Sequence, residues 1–277
     1  MRGGRWGMEF KVLGPVEVYD GSCPLDVGPR LPRTLLALLL IDANTVISLD
    51  RLLDCLWGEH PPATAGTALQ NYVARLRRVL EDDRPARTPP RVIVTQAPGY
   101  VLRVDRDQID ACRFEALLET GRRQLEASRY TAASRTLRSA LSLWRGSPYA
   151  DLAFEPCLQV EIARLSELRE AAAEALSEAD VAAGDHVAAV ADLERLVAAD
   201  PLRERRWELL ALALYRSGRQ ADALRALSEA RRTVREELGI DVGAPLRRLE
   251  DGILAQDAAL DWAPHPASRQ GRRPDVG

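Results

Sequence analysis

TAGTALQNYVARLRRVLE, residues Thr64 to Glu81, is the stretch on which the reading of this chain turns. At about 100° per residue, Ala65, Leu69, Tyr72, Val73, Leu76 and Leu80 collect on one side, the width of a buried stripe on an amphipathic helix. Thr64, Thr67, Asn71, Arg75 and Arg78 collect on the opposite side, with Gln70 and Arg77 flanking them. The outward face is therefore uncharged and hydrogen-bonding at its N-terminal end and cationic towards its C-terminal end. Such a face suits a helix laid in a DNA major groove, where Asn and Gln pair with adenine edges and Arg reads guanine or grips phosphate. Taken alone, the same face also suits plain solvation, so the neighbouring elements have to decide between the two.

Upstream, Pro61-Pro62 break the chain before this helix, which begins near Ala63 or Thr64. Ser48 is a good N-cap for a helix over Leu49 to Trp57, with Asp50 near the positive end of its dipole and Gly58 ending it. Leu49, Leu52, Leu53 and Leu56 share one face. A further helix is predicted from about Leu31 to Asp42, apolar through LLALLLI and so buried on most sides, with Asn44 as a left-handed C-cap. Ahead of it, Met8 to Gly14 and Val16 to Asp20 alternate apolar and polar as half-buried strands do, punctuated by Pro15 and by Asp20-Gly21. Met8 reads as an equally good start, which would make residues 1–7 an extension. Downstream, Asp82 to Pro90 is a polar, Pro-rich turn. Two strands follow, Arg91 to Thr95 and Tyr100 to Val104, around Gln96-Ala97-Pro98-Gly99. A β-hairpin directly after a three-helix unit is the wing of a winged helix.

In order and spacing, these segments resemble the OmpR-type winged helix-turn-helix of the Streptomyces antibiotic regulatory protein family. The matching text is LLALLL from Leu35, SLDRLLDCLWG from Ser48 to Gly58, PPATA from Pro61, LQNYVARLR from Leu69 to Arg77, and Pro98-Gly99-Tyr100. The resemblance implies a reading helix near 63–81, phosphate contacts from the start of the preceding helix, and a wing that touches the adjacent minor groove. By position, Thr67, Gln70, Asn71 and Arg75 are then base-facing, Arg77 and Arg78 lie nearer the backbone, and Ser48 and Arg51 are phosphate candidates. Thr95 and Gln96 belong to the wing. Thr64 joins the set unless, as N-cap, its hydroxyl is already engaged. The chain departs from the family pattern at Gly66 and Gln96, where members often carry a basic residue.

From about Asp110 onward the pattern is helical throughout, and it repeats. GDHVAAVADL from Gly184 to Leu193 aligns with GRQADALRAL from Gly218 to Leu227, and SRYTAASRTL from Ser128 to Leu137 matches both. A small residue stands at each turn, an Ala where helices cross and a Leu one turn later. The last two copies are offset by 34 residues, with an insertion between the Ser128 copy and the next, and that period resembles tetratricopeptide repeats, whose solenoids present a concave surface to a protein partner. In the same family the region is the bacterial transcriptional activation domain, and Trp144-Arg-Gly-Ser-Pro-Tyr149 sits where members carry a similar stretch.

The expected fold is thus mainly α with a small β component. It has a winged helix-turn-helix over residues 8–107, built from an N-terminal sheet, three helices and a C-terminal hairpin wing. An all-α helical-repeat domain follows over 108–262, and then a disordered tail over 263–277, rich in Pro, Arg, Gly and Ser.

Composition narrows the function. The chain has 277 residues and a net charge of −3, so any DNA affinity has to come from local clustering. Lys11 is the only lysine, and no phosphate loop, dinucleotide fingerprint, nucleophile elbow or H-E-x-x-H motif occurs, which argues against an enzyme. Cys23, Cys55, Cys112 and Cys157 are scattered, with no C-x-x-C pair and no adjacent histidine, which points to reduced, mostly buried thiols and to no metal or cofactor. No apolar run approaches a membrane span and no signal sequence is apparent, so a cytoplasmic protein is expected. No receiver-type phosphoacceptor domain is seen, so control is expected to be phosphorelay-independent. The resemblance implies an activator of antibiotic or other secondary-metabolite genes. It would bind double-stranded DNA at direct repeats, as a homodimer or side-by-side pair, and recruit RNA polymerase holoenzyme. The alternative is a repeat scaffold whose winged helix contacts protein.

Overall fold

The computed structural model describes residues 7–81 and 88–263; residues 1–6, most of the segment expected as a turn after Glu81, and the expected disordered tail beyond 263 lie outside the described residues. The chain divides into two compact units. One is Met1–Ala116 with Ala140–Arg169, the other Leu117–Ser139 with Glu170–Gly277.

In the first unit, β1 (Met8–Lys11), β2 (Glu17–Asp20) and β3 (Cys23–Leu25) form an antiparallel sheet in that order, with Met8 opposite Asp20 and Val18 opposite Leu25. The first two strands follow the alternation in the sequence, with Met8, Phe10 and Val18 buried. The third, which contains Pro24, is an addition to the strands expected from the sequence, and it lies at the sheet edge, where a missing N–H is tolerated. Next come α1 (Arg30–Ile41), β4 (Ile47–Ser48), α2 (Leu49–Trp57) and α3 (Ala65–Leu80). β5 (Ile93–Gln96) and β6 (Gly99–Leu102) then complete a second antiparallel sheet in the order β4-β6-β5. The two-residue β4 was invisible in the sequence because it is too short to alternate.

Local chemistry sets the helix ends. The Ser48 hydroxyl accepts from the Arg51 N–H at 3.3 Å, as an N-cap should, and Gly58 closes α2 at φ 63°. Asn44 does have a left-handed φ of 67°, but α1 ends at Ile41 with Asp42 as its C-cap. The Asn44 side chain instead donates to the Val104 carbonyl (2.8 Å) and accepts from the Val104 N–H (3.2 Å), stitching the loop to the end of the wing sheet. Gly99 is dictated by packing: a Cβ there would lie 1.8 Å from the Ile47 carbonyl oxygen.

The unit that carries the winged helix also takes in residues 140–169. Asp110, 2% exposed at the start of α4 (Asp110–Glu126), accepts from the Val12 and Leu13 N–H groups at 2.8 and 3.1 Å. Burial pushes its carboxyl above the usual range, and those two bonds together with Arg145 oppose the shift. The stretch from Trp144 to Tyr149 straps the hairpin loop between β1 and β2. Backbone N–H groups of Arg145, Tyr149 and Ala150 donate to the carbonyls of Leu13, Val12 and Gly14 at 2.8, 2.9 and 3.1 Å. The Arg145 guanidinium pairs with Glu17 at 2.8 Å, and Asp151 joins Val16 N–H to Arg33. Trp144 stands edge-on to Phe114, 5.2 Å between centroids.

The second unit holds the repeats: the latter part of α4, most of α5 (Tyr130–Leu141), the latter part of α6 (Gln159–Ala183), and then α7 (His186–Ala199), α8 (Glu204–Arg216), α9 (Gln220–Leu238) and α10 (Ala244–Leu254). The repeated pattern maps onto equivalent places. Ser128, Gly184 and Gly218 all turn at positive φ (55°, 95° and 77°). Ala133, Ala189 and Ala223 are fully buried one turn later, followed by buried Leu137, Leu193 and Leu227. Arg206, 0% exposed, donates to Glu170 (2.7 Å), Glu174 (2.9 Å) and the Leu196 carbonyl (2.8 Å), and so ties α6, α7 and α8 together. The thiols were expected to be mostly buried, but none is: Cys23 is exposed and the other three are half-buried.

Two substitutions test these anchors. Asp110→Ala leaves two buried N–H groups without an acceptor and should lower unfolding stability by about 2–3 kcal/mol in chemical denaturation. Arg206→Met should cost about 3 kcal/mol by removing the buried guanidinium that Glu170, Glu174 and the Leu196 carbonyl share, whereas an exposed Arg such as Arg225→Met should be nearly neutral.

Candidate nucleic-acid interface

The rear of α3 is fixed by the core. Ala65, Leu69, Val73, Leu76 and Leu80 are buried, and Tyr72, half-buried, stacks on Trp57 of α2 at 6.1 Å. What remains outside is a band of exposed residues: Thr64, Gly66, Thr67, Gln70, Asn71, Ala74 and Arg78. Among the described residues, the side chains of Thr67, Gln70, Asn71 and Arg78 make no hydrogen bond or ion pair within the protein. Thr64 is the N-cap residue, yet its hydroxyl makes no cap hydrogen bond, so it too is available to a ligand.

Both flanks of this band are held by arginines. Arg77 turns towards the wing, where its Nε donates to the Ile93 carbonyl and a terminal nitrogen to Thr95 Oγ1, each at 2.8 Å; its guanidinium also lies 5.8 Å from the Tyr100 ring centroid. On the other flank, Arg75 is half-buried over Gly28, where a Cβ would come within 2.5 Å of its Nε, and it pairs with Asp26 at 3.1 Å. The second oxygen of Asp26 accepts from the Gly28 N–H at 2.8 Å, so the loop that receives Arg75 is itself fixed. Glu81, buried at the end of α3, accepts from the N–H groups of Arg91 and Val92 and sets where β5 begins.

The remaining sequence candidates lie around this band. Ser48 is half-buried, with its hydroxyl committed to the N-cap. Arg51 is exposed and pairs with Asp42 at 2.9 Å. Thr95 and Gln96 are exposed on the wing, the first bonded to Arg77 and the second accepting from Arg103 at 3.1 Å. Arg103 was not singled out from the sequence. It lies just past β6, exposed, and its contact with Gln96 brings positive charge to the wing position that the sequence left neutral. Outward alternation from Leu102 was the available signal, but fully buried Val101 breaks that alternation. The interface thus combines amides and hydroxyls on a rigid helix face with guanidiniums at its edges. This donor set can pair with base edges and phosphates. Among the described residues no cluster of His, Cys, Asp or Glu could hold a metal ion, and no helix is long and apolar enough to cross a membrane.

Comparison with known proteins gives two family models. Residues 29–102 match the transcriptional regulatory protein C-terminal model, and residues 109–254 match the bacterial transcriptional activator domain. The chain is 36% identical over 260 residues to regulatory protein DnrI of Streptomyces peucetius, covering 92% of this chain and 94% of that protein. It is 39% identical to regulatory protein AfsR of Streptomyces coelicolor over 91% of its own length, but it spans only 25% of AfsR. A solved structure of Mycobacterium tuberculosis EmbR, in complex with a low-affinity phosphopeptide, superposes with a TM-score of 0.84 at 36% identity. That match covers 90% of this chain and 65% of the EmbR chain.

The tie between α3 and the wing can be measured. Arg77→Met removes two hydrogen bonds to β5 and should cost about 1–2 kcal/mol. Hydrogen exchange should then quicken in β5 and β6 while the amides of α1 keep their protection; equal loosening of α1 would show that Arg77 supports the core rather than the wing.

Proposed function

The chain belongs to the Streptomyces antibiotic regulatory protein family, and from that premise we propose how its winged helix reads DNA. As a member it is a transcriptional activator with a DNA-binding winged helix, and not an enzyme. The proposal starts from the unpaired polar band on α3. Thr67, Gln70 and Asn71 face base edges in the major groove, with Thr64 at the entry. Arg78 lies along the same band towards the phosphate backbone. Arg75 and Arg77, each already partnered, set the edges of the footprint and present their remaining N–H groups to phosphate. Arg51 at the start of α2, with Ser48 holding that helix end, contacts the backbone upstream. Thr95 and Gln96, with Arg103 beside them, carry the wing to the minor groove.

Few cations serve each copy, so a single winged helix neutralises few phosphates. We therefore place two copies side by side on direct repeats about one helical turn apart (roughly 10–11 bp), where their phosphate contacts add. The helical repeats then serve as the contact with RNA polymerase holoenzyme, at promoters of a secondary-metabolite cluster. Winged helix over 8–107 and activation domain over 108–262 is the division of labour this implies. The site of action is the nucleoid.

Fluorescence anisotropy on promoter DNA from the chain's own gene neighbourhood tests the reading. Asn71→Ala and Gln70→Ala should each cost about 1–3 kcal/mol on the operator and leave bulk-DNA affinity unchanged. Arg78→Ala should weaken all DNA binding and reduce the salt slope by about 1. Operator binding that fails to outcompete bulk DNA, or that ignores both amide substitutions, refutes it.

A further inference from the structure

In the second unit, the turn between α6 and α7, the turn between α8 and α9, and the segment at Asp261-Trp262 enclose a cleft of about 680 Å3, lined by Gly184, His186, Tyr215, Arg216, Gln220 and Trp262 among others. Its size is in the range of small-molecule sites. The lining is unusual in three respects.

First, Arg216 is half-buried, and it uses its Nε to hold the Leu260 carbonyl at 2.9 Å. Among the described residues no carboxylate lies within 4 Å of its guanidinium. Its neighbour Asp261 acts only at longer range, and burial draws the Arg216 pKa down. A half-buried cation with no carboxylate in contact gains more from an anion than an exposed one does.

Second, His186 Nδ1 is buried and has no hydrogen-bond partner among the described residues. Burial and Arg216 both lower the His186 pKa, and the residue lines the cleft.

Third, the Trp262 ring is locked in place. It packs on Gly184, where a Cβ would lie 2.4 Å from the ring, its Nε1 donates to the Ala182 carbonyl at 3.1 Å, and His186 stands edge-on to it at 5.7 Å. A fixed indole offers a flat wall at little entropic cost. Asp261 at the rim works against a dianion such as phosphate, and one guanidinium matches one negative charge.

We propose that this cleft is a binding site for a small organic monoanion built on a flat ring. Its carboxylate pairs with Arg216, its ring lies against Trp262 and Tyr215, and His186 orients it. The site belongs to the second unit and α3 to the first, and the proposal does not depend on how α3 reads DNA.

Titration calorimetry on the full chain with 2-naphthoate tests the proposal. Saturable 1:1 binding with a dissociation constant of about 1 mM or tighter is expected for a ligand of that size. The neutral isostere 2-naphthol should bind at least about tenfold more weakly, since it lacks the charge-assisted pair. Arg216→Gln should abolish the preference for the anion, and Trp262→Leu should weaken both ligands. The comparison of the two ligands on the unaltered protein needs no variant, so it stands even if Arg216→Gln loosens the Leu260 segment. No saturable 2-naphthoate binding, or 2-naphthol bound as tightly, overturns the proposal.

Discussion

The rotation of α3 about its own axis is the constraint on which the interface depends. Leu69, Val73, Leu76 and Leu80 are each no more than 1% exposed, and burying such a side chain is worth about 2 kcal/mol. Turning the helix by a single residue would lift several of them into water, a loss no exposed polar contact on the outer side could offset. The apolar stripe therefore sets which side chains face out, and the polar band inherits its position. Arg77 and Arg75 then trim that band, one drawn to the wing and the other to Asp26. The free surface is narrower than a helical wheel suggests, and it is made chiefly of amides and hydroxyls.

A second constraint joins the N-terminal sheet to chain far downstream. The loop between β1 and β2 turns its backbone groups inward at Val12 and Leu13, both 0% exposed. Buried N–H and C=O groups need partners, and the loop has none of its own. Asp110 supplies the acceptor and the stretch from Arg145 to Ala150 supplies the donors. The motif that resembles a signature of the activation domain is, physically, the strap that completes the edge of the DNA-binding unit. In the other unit, a similar economy operates at Arg206, where one buried guanidinium meets two carboxylates and a helix-end carbonyl.

Much of this was legible in the residues themselves. The helices near α1, α2 and α3, the Ser48 cap, the hairpin, and the recurrence of small residue, alanine and leucine all follow from local rules. Period reports which face is apolar, caps report where a helix starts, and the left-handed turn of each repeat falls on a small residue, glycine at 184 and 218 and serine at 128. The strands β3 and β4 escaped notice because a proline masks one and the other spans two residues. Asn44 had the conformation foreseen for it, but its side chain serves Val104 rather than the end of α1.

The sequence by itself determined the order of elements, the buried stripe of α3 and the repeat that builds the second unit, because each is written in spacings of a few residues. Only the tertiary structure decided that Arg75 answers to Asp26, 49 positions away, and Arg77 to the wing. It also decided that Asp110 serves a loop 98 positions away and that Arg216, His186 and Trp262 meet around one cleft. The physical reason is that periodicity records how a residue faces its own helix. Which donor meets which acceptor across the chain depends on how the elements pack, and no local spacing encodes that.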